Sequence, residues 1–190
     1  MSYNWDNIGT LVSISYVCGH CGESISSNSG YYGKYSNGQV PVAIYICHSC
    51  SKPTFYSFEN SYQVPGSPFG APVKHIQSKE VETLYEEARN CMSVNAVTAV
   101  ALCLRKLLMN LAVAEGAQEG ISFVQYINYL EQEGFVTPKN KAWVDYIRKM
   151  GNMATHEIKV VNREEAEQLV LFCEMLLKSN IEYPASLPTP

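Results

Sequence analysis

Two stretches, "YVCGHCGE" at residues 16–23 and "IYICHSCS" at residues 44–51, each run from aromatic and β-branched residues into Cys-x-x-Cys. Each pair can grip a metal ion from a tight turn, and two pairs complete the tetrahedron that zinc favours. Cys18, Cys21, Cys47 and Cys50 are therefore read as the ligands of one Zn2+ ion. Four thiolates leave no coordination position for water, which makes such an ion structural rather than catalytic. His20 and His48 sit inside the two turns, and the doubled cysteine pattern leaves them as exposed knuckle residues.

The segments around the cysteines must be strands. "LVSISYV" (11–17), "VPVAIYI" (40–46) and "TFYSFE" (54–59) are short and rich in β-branched and aromatic residues, which predicts a three-stranded zinc ribbon over residues 1–60. Tyr31, Tyr32 and Tyr35 beside Gly30 and Gly33 read as a flexible, aromatic ribbon tip that could stack on bases or on a partner. At 61–78, "SYQVPGSPFGAPVKHIQS", Pro65, Pro68 and Pro72 with two glycines exclude regular helix and mark a linker.

Beyond the linker the apolar residues recur with helical period, and an up-and-down bundle of about five helices is expected over 79–184, with 185–190 a tail. The first helix follows the N-cap candidate Ser78 and lines up Val81, Leu84, Tyr85, Ala88 and Cys91, with Glu80 and Glu82 suited to its positive first turn. The second, about 95–115, carries the wide stripe Ala96, Val100, Cys103, Leu104, Leu107, Leu108 and Leu111 of a core helix. The third opens on the capping-box spacing Ser122-x-x-Gln125 and stops at Gly134. The fourth is expected to start at Thr137-Pro138 and to present Trp143, Ile147 and Met150. The fifth follows the capping box Asn162-x-x-Glu165 and is expected to end at Pro184.

Composition narrows the class. In 190 residues, 46% hydrophobic content supports a packed core. The most apolar stretch is interrupted by Arg105 and Lys106, which argues against a membrane span, and a cytoplasmic location fits the cysteine usage. Residues 1–78 balance Lys34, Lys52 and Lys74 against Asp6, Glu23 and Glu59, so the net charge of −4 lies in the remainder. Neither half reads as a phosphate-binding surface, and three scattered lysines exclude nonspecific DNA binding by the ribbon.

"LYEEARNCMSVNAVTAVALCLRKLL" (84–108), "YINYLEQEGFV" (126–136) and "IRKMGNMATHE" (147–157), followed by a long last helix, resemble the family of domain of unknown function 4145 over roughly residues 80–183. The anchor features are Glu87-Ala88 with Cys91, Ala99 with Arg105, and Gly151-Asn152 with His156. The resemblance implies membership of the HEPN (higher-eukaryote and prokaryote nucleotide-binding) superfamily, helical bundles that usually dimerise and often occur in restriction, toxin and antiviral loci. Many of its members are similar in an Arg-polar-x-x-x-His motif that cleaves RNA without metal where two protomers meet. There a histidine moves a proton near neutral pH and an arginine holds the phosphate as charge builds.

In this chain Asn152 and His156 match that motif, and Gly151 stands where the arginine belongs, with Arg148 about one turn earlier. If the helix continued through Gly151, Arg148, Asn152 and His156 would share a face. The run Met150-Gly151-Asn152 instead reads as a helix stop, with Asn152 and His156 bracing the next turn. The expected protein is a zinc ribbon on a HEPN-like bundle, a homodimer acting as a binding or regulatory module with RNA, a nucleotide or a defence protein as partner. Two alternatives stand beside it, an endoribonuclease using His156 and Arg148 and an architectural adaptor that joins proteins.

Overall fold

The computed structural model describes residues 5–156 and 161–187, residues 153–156 by backbone alone. The chain divides into two compact units, residues 1–68 and 69–190.

The first unit is an antiparallel sheet of five strands in sequential order: β1 (Gly9–Val17), β2 (Ser24–Gly33), β3 (Val42–Ile46), β4 (Pro53–Ser57) and β5 (Tyr62–Val64). Two of these go beyond the three expected from pattern. β2 is "SISSNSGYYG", a serine-rich run with little strand propensity, and it pairs on both sides, Tyr16 with Ile25 and Tyr31 with Ile44. Tertiary pairing overrides propensity here, because the first cysteine turn reverses the chain and lays residues 24–33 beside β1. Gly30 permits the close approach of β3, since a Cβ there would stand 1.9 Å from the Ile44 carbonyl oxygen. The buried centre of the sheet consists of Tyr16, Ile25, Ala43 and Tyr45 together with Cys18 and Cys47. The Tyr45 hydroxyl donates to the Val12 carbonyl at 2.8 Å across a register shift in β1 between Thr10 and Ile14.

Of the three tyrosines expected at a flexible tip, Tyr35 lies in the turn between β2 and β3, whereas the other two do not. Tyr31 and Tyr32 belong to β2 and, as strand neighbours, point to opposite faces. Tyr31 packs beside Trp5 and donates to the Asp6 carbonyl. Tyr35 donates to Glu59 at 2.9 Å, and Lys34 lies 4.9 Å over the Tyr32 ring. They form no common stacking platform.

The second unit is helical: α1 (Lys79–Ser93), α2 (Val97–Ala114), α3 (Phe123–Gln132), α4 (Lys141–His156), α5 (Arg163–Leu177) and a short α6 (Tyr183–Ala185) after a π-helical turn, Lys178–Glu182. Helix α2 lies at the centre, packed against α1, α3, α4 and α5, and buries Val100, Ala101, Leu104, Leu107, Leu108, Leu111 and Ala112. By length and composition alone α2 is apolar enough to cross a membrane. Its stripe is instead covered by four helices, as a core helix requires.

Local chemistry sets the helix starts. Ser78 accepts from the Val81 N–H, and Ser122 and Asn162 each form a full capping box, with Gln125 and Glu165. Helix α4 starts three residues later than the proline suggests. Residues 138–140 form a turn, and the Asn140 carbonyl accepts from Trp143 and Val144. Pro184 does not end the last helical segment but falls in the first turn of α6, where its missing N–H is not needed.

Residues 69–78 have no helix or strand, yet they are pinned to the helices. Arg89, almost wholly buried, donates to the Phe69 carbonyl at 2.9 Å and the Gly70 carbonyl at 3.0 Å, and pairs with Glu86 at 2.8 Å. Glu174 accepts from the Ala71 N–H at 2.8 Å, and Tyr85 donates to the Ala71 carbonyl at 2.8 Å. Backbone groups that lack a regular partner are thus satisfied by side chains of α1 and α5.

Candidate functional site

The two Cys-x-x-Cys turns are built alike. In the first, the Cys18 N–H donates to Glu23 at 2.9 Å and Gly22 donates back to Cys18 at 2.8 Å. In the second, Cys47 donates to Lys52 at 3.0 Å and Ser51 back to Cys47 at 2.8 Å. The residue after each second cysteine turns left-handed, Gly22 at φ +74° and Ser51 at φ +57°. This common turn aims both sulfurs of a pair inward.

The four sulfurs lie within 4.8 Å of one another, with Cys18–Cys50 and Cys21–Cys47 at 3.8 Å. A regular tetrahedron of thiolates about 2.3 Å from a metal has edges of about 3.8 Å. A disulfide would need about 2.05 Å, so these thiols are not paired covalently. Cys18 and Cys47 are fully buried, Cys50 partly, and Cys21 is exposed. Burial pushes the Cys50 thiol up to about 12 and the Cys21 thiol upward. Sulfurs so close cannot all ionise by themselves, and a cation among them would supply the missing charge. The residues therefore fit a metal ion. His20 lies outside the cluster, its Nε2 at 3.0 Å from the Pro53 carbonyl oxygen, and His48 is exposed.

The second candidate region is α4. The helix does not stop at Gly151 but runs on to His156. The glycine serves another purpose: it is buried, and a Cβ on it would come within 2.6 Å of Arg105 Cδ. The side-chain space of residue 151 is filled by Arg105 from α2. The Arg105 guanidinium lies 4.2 Å over the Phe123 ring and donates to the Arg148 carbonyl at 3.3 Å. Burial, and then the charge of Arg148 beside it, pull the Arg105 guanidinium below its ordinary value. Arg148 itself pairs with Asp145 at 3.4 Å, both exposed. A surface hollow of about 530 Å³ is lined by Asp145, Tyr146, Arg148, Lys149 and Asn152 with Ala142. Arg148 and Asn152 thus lie on successive turns of one helix, and the backbone places His156 on the next. The His156 side chain lies outside the described residues.

Arg105, an anchor of the family resemblance, thus meets Gly151, a neighbour too distant in sequence for local patterns to reveal.

No curated protein and no solved structure matches the chain. A family model, described as a domain of unknown function (DUF4145), matches residues 86–188, which cover α2 to α6 and the C-terminal half of α1. With more than half of its length matched, the chain belongs to the DUF4145 family.

Proposed function

We propose that this protein is a zinc-ribbon and HEPN-like binding or regulatory module of a bacterial nucleic-acid-linked defence, restriction or toxin system. In this reading Cys18, Cys21, Cys47 and Cys50 hold Zn2+, and the ion folds the ribbon rather than acting on a substrate. The helical unit forms a homodimer and takes RNA or a nucleotide on the α4 side. The observation that carries the non-catalytic metal is the pair of 3.8 Å sulfur separations, the edges of a tetrahedron with all four corners occupied by protein. Metal analysis of the purified protein and fluorescence anisotropy with a labelled single-stranded RNA test the two halves of the proposal. A metal-free folded ribbon, or an RNA that does not bind, counts against the corresponding half.

One observation favours a second reading, a metal-independent endoribonuclease. The continuity of α4 through Gly151 removes the objection that a helix stop would separate Arg148 and Asn152 from His156. A structured RNA incubated with the protein in EDTA distinguishes the two. Products ending in a 2′,3′-cyclic phosphate, lost in both His156→Ala and Arg148→Ala, establish cleavage. Intact RNA in the presence of the dimer leaves the binding module.

A further inference from the structure

The Gly151–Arg105 contact gives the α4 side a cation that its own sequence lacks. We propose that Arg105, lodged in the side-chain space left by Gly151, and Arg148 together form a two-guanidinium site for a phosphate group of a nucleic-acid strand. The inference rests on the RNA-binding reading and adds the residue that grips the phosphate.

Three features of the site point to an anion. Arg105 is held in place before any ligand arrives: its stem fills the gap at Gly151, its guanidinium stacks on Phe123, and Nη1 is tied to the Arg148 carbonyl. A guanidinium fixed in this way loses little freedom when it meets a phosphate, for which its planar fork is well matched. Its neighbour is a second arginine rather than a carboxylate, and among the described residues no acidic side chain forms an ion pair with Arg105. The two positive charges disfavour each other, and an anion that met both would relieve that repulsion. Finally, Arg148 lines a hollow together with Lys149, and Arg105 reaches the same turn of α4 at the Arg148 carbonyl, which gives a phosphate room beside both arginines. Asp145 is the carboxylate at this face, and its exposed pairing with Arg148 is of the weak kind that an incoming phosphate displaces.

The test uses the full chain and a labelled single-stranded RNA titrated over a range of salt. Arg105→Met keeps an unbranched stem against Gly151 and Phe123 and removes the charge. It should weaken binding about tenfold and lower the slope of log affinity against log salt by about one. Gly151→Ala keeps every charge but pushes Arg105 aside, and it should weaken binding in the same direction, which decides the matter should Arg105→Met fail to fold. Arg163→Gln, which removes a cation paired with Glu167 on α5, should change affinity much less than Arg105→Met. Wild-type affinity and salt slope in folded Arg105→Met overturn the inference while the RNA reading stands. If RNA does not bind, yet inorganic phosphate shifts the Arg105 Nε–H resonance in wild type but not the same region in Arg148→Gln, the site holds and the RNA reading falls. Neither RNA binding nor a phosphate shift overturns both.

Discussion

Cys47, like Cys18, is fully buried, and it anchors the second turn through its own N–H and carbonyl. Serine in its place keeps the volume but weakens the grip on a soft metal. Cys47→Ser should therefore lose the bound ion and the ordered sheet while the helical circular-dichroism signal persists, since the buried helical core is drawn entirely from residue 69 onward. Metal content and far-ultraviolet spectra on the same sample read both effects. Tyr85 supports a prediction in alkali. Its hydroxyl donates to the Ala71 carbonyl, and burial, followed by the charge of Glu174, pushes the phenol well above its ordinary value of 10.0. The folded state thus holds this proton more tightly than the unfolded chain does. The contribution is fully present below about pH 10 and is lost as pH rises through the folded value. Tyr85→Phe should reduce stability by about 1 kcal/mol at neutral pH and flatten the decline above pH 10, measured by urea midpoints across that range.

At the scale of elements, α4 is the informative one. A glycine after an apolar run looks like a stop, but Gly151 lies mid-helix because α2 sends an arginine stem through the space above it. Its presence costs about 1 kcal/mol of helix propensity relative to alanine, which the close packing of α2 offsets. The arginine that the HEPN motif would place at 151 does not fit the same geometry. Gly151→Arg should lower stability by about 1–3 kcal/mol through overpacking and should not strengthen RNA binding, checked by thermal unfolding and anisotropy together. A more stable Gly151→Arg protein with tighter RNA binding would show that the position was waiting for the motif residue. Helix α2 carries the other half of this arrangement. Its apolar stripe must face the core, and that fixes Arg105 at the boundary where α3 and α4 meet it.

For the molecule as a whole, assembly is the prediction that separates the readings. The wide α2 stripe is already covered within one chain by four helices, so a dimer has to use other surfaces. Exposed Leu171 and Met175, one turn apart on α5, are available apolar residues of that kind. Light scattering at tens of micromolar, the middle of the affinity scale, should give twice the chain mass, and a monomer there would remove any composite site at a dimer interface. The charge of the whole chain points the other way from RNA, at −4, so the proposed RNA binding requires a local group of cations rather than a general field. That is why the salt slope, which counts local phosphate contacts, is the sharper measurement.

The sequence by itself determined whatever depends on near neighbours along the chain. The Cys-x-x-Cys turns, the capping boxes at Ser122 and Asn162, and the apolar stripe of α2 are short-range patterns, and each recurs in the structure where it was read. Tertiary structure alone decided what depends on pairing across distance. β2 is a strand because β1 and β3 offer it hydrogen bonds, not because serine favours one, and so the sheet has five strands where composition suggested three. Gly151 is a contact rather than a stop, because the side chain that fills its space comes from a helix more than forty residues earlier. Local signals report backbone preference, whereas close packing is settled by whichever distant group arrives, and only the folded chain brings Arg105 to Arg148.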